Sequence, residues 1–179
     1  MRVVIIYESM YGNTHVIADA IGRGLAPGNE VAVLPVAEAT PDMLGEADLV
    51  VVGGPTHVHG MSGTRSRQAA MEAAGKDGSG LTLEPHAQGL GLRDWFGTVG
   101  QTHGWSVAFD TRVDGPAVLT GRASKTIAKL LERHGLTEIA PAQSFLVTKD
   151  NRLRSGEEDR AEQWSRELAA KLPAATAFL

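Results

Sequence analysis

The chain has 179 residues, 42% of them hydrophobic and 21% charged, enough to bury a two-faced core without metals or disulfides. Its 17 Lys plus Arg against 21 Asp plus Glu give a formal net charge of -4, which argues against nucleic acid and falls short of a strongly steered acidic carrier. Cysteine is absent, which excludes disulfides, thiolate catalysis and every Cys-ligated cluster or zinc site.

Residues 3–7 (Val-Val-Ile-Ile-Tyr) are a continuous apolar, β-branched run, the pattern of a strand buried on both faces. The run is too short for the core of a signal peptide, and no apolar stretch reaches membrane-spanning length. A cytoplasmic protein that neither enters membranes nor binds nucleic acid is therefore expected. Ile17, Ala20, Ile21 and Gly24 recur at helical spacing and predict a helix over 14–25. Residues 30–35 hold a weaker second strand, and 39–47 a short polar helix or turn containing Pro41. Residues 48–53 form another buried strand that runs into Gly53-Gly54-Pro55.

The stretch 71–90 breaks this rhythm. It is Gly-rich, contains Pro85 and shows no sustained period, so it is expected to be a functional loop or a mobile insertion. Leu92, Trp95, Phe96 and Val99 then resume helical spacing and lead into a fourth strand at 105–109. Ala123, Ile127, Leu130, Leu131 and His134 line one face of a further helix, with Gly135 as its stop. Residues 145–147 are the core of a fifth strand. Ser155-Gly156-Glu157-Glu158 reads as a capping box opening a last helix, whose apolar stripe is Ala161, Trp164, Leu168 and Leu172. Strands alternating with helices predict parallel strands and right-handed crossovers. The expected fold is a three-layer α/β sandwich in one domain, 1–179.

The chemistry is expected at the end of the first strand, in Glu8-Ser9-Met10-Tyr11-Gly12-Asn13-Thr14-His15. Ligands of open parallel sheets sit beyond the carboxyl ends of strands. A helix starting there offers unpaired N–H groups and a dipole that favours an anion. Ser9 and Thr14 hydroxyls and the Asn13 amide could complete a phosphate cradle without a Lys, and Gly12 would let the backbone turn tightly. The loop lacks both G-x-G-x-x-G and the Lys-Ser/Thr of a P-loop. Asn13 and Thr14 could instead simply cap the helix.

The run Val-Val-Ile-Ile-Tyr-Glu-Ser-Met-Tyr-Gly-Asn-Thr ending at Thr14 resembles the flavodoxin-like proteins, in which S/T-x-x-G-N-T binds the phosphate of FMN. Looser likeness continues at Gly53-Gly54-Pro55-Thr56-His57 and at Asp110-Thr111-Arg112, so the resemblance spans most of the chain outside 71–90. It implies a five-stranded parallel sheet of order 2-1-3-4-5 with FMN as cofactor. By this resemblance Ser9, Met10, Tyr11, Gly12, Asn13 and Thr14 are the phosphate-binding positions. Pro55, Thr56, His57, Val58, His59 and Gly60 map onto a first ring-contacting loop, and Thr111, Arg112, Val113 and Asp114 onto a second.

Two departures stand out. Many flavodoxins sandwich the flavin between Trp and Tyr, whereas these loops offer His57 and His59 and no aromatic in the second loop. Stacking could come from a His, from Trp95 if the insertion folds over, or from a partner subunit. The second departure is Arg112, a cation where protein groups tune the ring. It could raise the flavin's reduction potential, or it could point to solvent or pair with Asp110 or Asp114. The implied function is electron transfer through bound flavin to a redox partner protein or a small quinone-like acceptor. An NAD(P)H-dependent quinone reductase of the same superfamily and a flavin-free binding module are the alternatives. His57 and His59, at i and i+2, are a poor start for a metal site, and none is expected. Arg65 and Arg67 could attract an anionic partner or a nicotinamide phosphate but read more ordinarily as the solvated face of a helix, and His15 with Asp19 as a surface pair one turn apart.

Overall fold

Strand β1 (Arg2–Tyr7) lies inside the sheet because its side chains are apolar on both faces and need cover from two sides. The computed structural model describes residues 1–57 and 59–172. β1 pairs in parallel with β2 (Glu30–Pro35) on one flank and with β3 (Leu49–His57) on the other. The far end of β3 turns back into β4 (Gly60–Met61), a two-residue antiparallel partner. Beyond β3 comes β5 (Trp105–Val113), again parallel.

Two short strands share the last position. β6 (Thr137–Glu138) pairs with Trp105 and Ser106, and β7 (Gln143–Val147) pairs with the stretch of β5 from Phe109 to Val113. The gap between them contains Pro141, which has no N–H to give to a ladder. By position the sheet keeps the expected parallel order 2-1-3-4-5, with the fifth strand interrupted.

Side-chain alternation along the strands builds two cores. Val3, Ile5, Val51, Val107 and Phe109 face α1 (Asn13–Leu25) and α7 (Glu157–Ala169). Val4, Ile6, Val50, Val52 and Ala108 face α2 (Pro41–Gly45), α4 (Leu92–Phe96) and α6 (Ala123–Arg133). The result is the three-layer sandwich. Helix α3 (Thr64–Ala74) and the one-turn α5 (Ala117–Thr120) sit past the carboxyl ends of the strands.

Three local expectations need correction or completion. Trp95 cannot stack on a ligand, because it is 1% exposed, packs edge-on against Phe96 and donates its Nε1–H to the Ala39 carbonyl at 3.0 Å. The capping box at 155–158 does not form. Gly156, at φ +82°, precedes the helix, and no side chain caps it. Glu157 instead accepts the Leu146 amide at 2.6 Å and pairs with Arg160, tying α7 to β7. Burial alone would raise its pKa, but those two partners, helped by Arg154, hold the carboxyl below its usual range.

Within 71–90, the first residues complete α3, and no helix or strand occurs again until α4. The segment folds against the first loop. The Glu84 amide donates to the Met10 carbonyl at 2.9 Å, Met10 and Ala87 bury together against Leu83, and Arg67 holds the Gly89 carbonyl at 2.8 Å.

Gly53 shows how tightly β3 and β5 mesh. It lies opposite Phe109, and a Cβ there would fall 2.1–2.4 Å from the Phe109 ring. Gly53→Ala is expected to destabilise the fold by about 1–3 kcal/mol through overpacking, read as a lowered urea midpoint. An unchanged midpoint would show that the ring can move aside.

Candidate functional site

Four segments meet beyond the carboxyl edge of the sheet. The loop after β1 contributes Ser9, Met10, Tyr11, Asn13 and Thr14 to the wall of one cleft; the end of β3 contributes Pro55, Thr56 and His57. The end of β5 adds Thr111, Arg112 and Val113, and β7 with its following turn adds Val147 and Asn151. The cleft holds about 410 Å³ of empty space once its open mouth is counted.

Three helices start at this edge, and their first amides are treated differently. The Leu92 amide of α4 donates to Glu8 Oε2 at 2.8 Å. In α6 the Ala123 amide donates to Thr56 Oγ1 at 2.9 Å and the Ser124 amide to Asp110 Oδ2 at 2.7 Å. In α1 the amides of Asn13, Thr14 and His15 find no acceptor among the described residues, and the first turn carries no acid. A helix N-terminus left open inside a cleft attracts an anion through both its free N–H groups and its dipole.

The loop leading into α1 is shaped for this. Gly12 adopts φ +92°, a conformation that side-chain-bearing residues rarely take, and its amide donates to Ser9 Oγ at 3.1 Å. The buried Thr14 hydroxyl lies 2.7 Å from that of Thr111, joining the first loop to β5. Asn13 donates its side-chain amide to the Asn151 carbonyl at 2.8 Å, which fixes the turn after β7 against α1. Tyr11 donates its hydroxyl to the Ala70 carbonyl at 2.7 Å, tying the loop to α3.

One carboxylate approaches the loop at Gly12, where a Cβ would fall 3.3 Å from Glu84 Oε1. Glu84 lies 3.1 Å from His15 Nδ1; the ring of His15 stacks on Tyr7 at 4.5 Å, and its other nitrogen lies 3.5 Å from Asp19. Burial, reinforced by the charges of Glu84, Asp19 and Glu38, raises the Tyr7 phenol to about 12.

The other two loops close the opposite wall. His57 is half-buried, whereas His59 is exposed at φ +72° and bridges through its backbone to Gly121. Val58 lies outside the described residues, and Gly60 belongs to β4. Arg112 pairs with neither Asp110 nor Asp114. Its Nη1 donates to the Gly115 carbonyl at 2.8 Å and to Thr120 Oγ1 at 2.9 Å, and its buried Nε–H has no acceptor among the described residues. Asp114 is neutralised by Arg154.

The flavodoxin family model matches residues 5–95, about half of the chain. The chain belongs to the flavodoxin family. A solved flavodoxin from the domain Archaea is 19% identical and aligns with 96% of this chain and 99% of its own, at a TM-score of 0.64. Oxidised flavodoxin 1 from Bacillus cereus is 16% identical, covering 97% of this chain and 100% of its own, at 0.67. Rubredoxin oxygen:oxidoreductase from Desulfovibrio gigas is 19% identical; the likeness spans 97% of this chain but 37% of that one, at 0.61. Flavodoxins carry FMN and pass electrons through it to redox partner proteins, and this chain is an FMN-binding redox protein of that kind.

Val147 and Asn151 also line the cleft, although no sequence motif singled them out. The available signal was topological, since both follow the carboxyl end of the last strand, where ligands of such sheets gather.

Burial lowers the pKa of His57, against the opposing charge of Glu8. The unfolded chain therefore takes a proton on this ring before the folded chain does. Stability should fall as pH drops through about 6.5, the ordinary histidine value. An NMR titration is expected to place the His57 midpoint below the ordinary value, and His57→Gln to lose this part of the acid destabilisation. A midpoint at or above the ordinary value would contradict the burial argument.

Proposed function

We propose that the cleft holds FMN with its phosphate against the free α1 amides and its ring between the loops at 55–60 and 111–114. The protein then works as a cytoplasmic electron carrier. No helix among the described residues is long and apolar enough to cross a membrane. The observation that carries the site assignment is at the start of α1: the first amides of α4 and α6 are taken by Glu8, Thr56 and Asp110, whereas the first three of α1 meet no acceptor among the described residues, and Asn13 and Thr14 line the cleft.

Each group on the wall has a job toward the cofactor. The Asn13, Thr14 and His15 amides and the Ser9 and Thr14 hydroxyls bind the phosphate dianion. Gly12 brings the backbone close, and Thr111 orients the Thr14 hydroxyl. His57, kept neutral, and Pro55 border the ring. The unpartnered Arg112 Nε–H supplies a donor that a flavin ring, rich in acceptors, can use. Bound FMN supplies reversible uptake and release of electrons, while the protein supplies binding, orientation and electrostatics. The fixed Arg112 cation favours the more negative, reduced state of the ring.

Two measurements test this reading. Flavin-free chain titrated with FMN and with riboflavin should prefer FMN by at least about tenfold, since hydrogen bonds to a charged group are worth roughly 1.5–3 kcal/mol. Gly12→Val, which cannot hold the left-handed turn easily, should shrink that preference. Equal affinity for the two flavins would refute the phosphate assignment. In addition, Arg112→Ala should lower the potential of bound flavin by roughly 30 mV or more, the equivalent of about 1.4 kcal/mol for two electrons. An unchanged potential in a dye-linked spectroscopic titration would place the guanidinium outside the ring's influence.

A further inference from the structure

The mouth of the cleft has a surface unlike the rest of this acidic chain. Between the two ring loops stands α5, whose Val118 and Leu119 are 89% and 66% exposed, the two most exposed large hydrophobic residues described. It is held in place rather than loose. Arg112 bonds to Thr120 and to the Gly115 carbonyl, and Gly121 bridges to His59 across the mouth. Two apolar side chains are thus presented to solvent on a braced turn beside the cofactor site.

Around this knuckle the charges are mostly positive. Lys125 is exposed in the first turn of α6, Lys149 and Arg152 are exposed on the turn that carries Asn151, and Arg65 is exposed at the start of α3, just past β4. The acids here are Asp150, on the same turn as Lys149; Asp114, which is cancelled by Arg154; and Glu132 and Glu138, which share a groove with Lys125, Lys129 and Arg122. The chain as a whole carries -4, so its negative charge resides elsewhere. An apolar centre with a rim mainly of one charge sign is the anatomy of a protein–protein interface. The sign of the rim selects the partner and sets the encounter rate.

We propose that the α5 knuckle and its basic rim form the docking surface for an electron-transfer protein whose own redox centre is surrounded by carboxylates. This rests on the redox reading above and adds the partner's charge. The docked pair brings the partner's centre to the ring edge. One electron leaves the reduced flavin for the partner, so that a ferric haem partner, for example, becomes ferrous.

Two haem proteins of opposite surface charge serve as probes: acidic cytochrome b5 and basic cytochrome c. Calorimetry with the full chain, both flavin-free and FMN-loaded, should show cytochrome b5 binding to each form. Its affinity should weaken at least about tenfold between low and physiological salt. Cytochrome c should bind more weakly. The exposed triple variant Arg65→Glu, Lys125→Glu, Lys149→Glu should reverse this preference while keeping the parent's melting temperature and FMN affinity. Leu119→Asp should weaken cytochrome b5 binding without altering the fold. A preference for cytochrome c, no effect of the charge reversals, or sedimentation showing a second copy of this chain seated on α5 would each overturn the proposal. Binding as expected, with no haem reduction by the FMN-loaded, reduced protein, would leave the surface standing and refute the redox reading instead.

Discussion

Every helix that starts at the carboxyl edge of a parallel sheet brings unpaired amides and a positive dipole end into a partly buried region. Those amides must be satisfied from the sheet, from water or from a ligand. In this chain side chains at the strand ends take three of them among the described residues. Glu8, at the end of β1, takes the first amide of α4 and also accepts from Ser62. Thr56 on β3 and Asp110 on β5 take the first two amides of α6. Glu8 and Asp110 are 5% and 0% exposed, so the amides they accept offset much of the cost of burying their carboxylates. Helix α1 receives no such plug, and its open start coincides with a cleft.

A site made of loops needs bracing to hold its geometry, and the braces run crosswise. The Thr14–Thr111 hydroxyl pair links the first loop to β5, and the Asn13–Asn151 bond links α1 to the turn after β7. Arg154 with Asp114 ties that turn back to the second ring loop. The 75–90 stretch, which lacks regular structure, is itself a brace: Glu84 and Ala87 pack against the loop after β1 through Met10 and His15. These contacts connect segments far apart in sequence, so the cleft inherits its rigidity from the folded sheet.

This explains what could be read from the chain and what could not. β1, β3 and their crossover helices were legible because continuous Val/Ile runs and a helical stripe reflect burial, a property that each segment carries locally. The loop proposed to hold the phosphate draws notice in the sequence because Ser9, Gly12, Asn13 and Thr14 fall within six residues. The split of the fifth strand was missed although Pro141 was in view, since Thr137 and Glu138 look polar and pair only because β5 runs alongside. Trp95 looked free to stack because its spacing says only that it faces apolar surroundings; whether that means core or ligand depends on α4 docking beside Ala39. The capping box failed on geometry, since Gly156 takes the left-handed conformation at the position where Ser155 would have had to lead the helix. Asn151 was invisible as a cleft residue because nothing local links it to Asn13.

The electrostatics of the cleft follow from the same accounting. His57 is kept neutral by burial, Asp114 is cancelled by Arg154, and Glu8 and Asp110 are spent on helix amides. What remains facing the cleft is the positive end of α1 at one side and Arg112 at the other. A carboxylate beside the ring would oppose adding electrons to it; a fixed guanidinium assists. Because its Nη1 is committed to Gly115 and Thr120, Arg112 cannot swing out to solvent without releasing the turn that presents Val118 and Leu119. Arg112, the cation proposed to face the ring, thus also holds the apolar knuckle at the mouth, and the two properties cannot be varied independently.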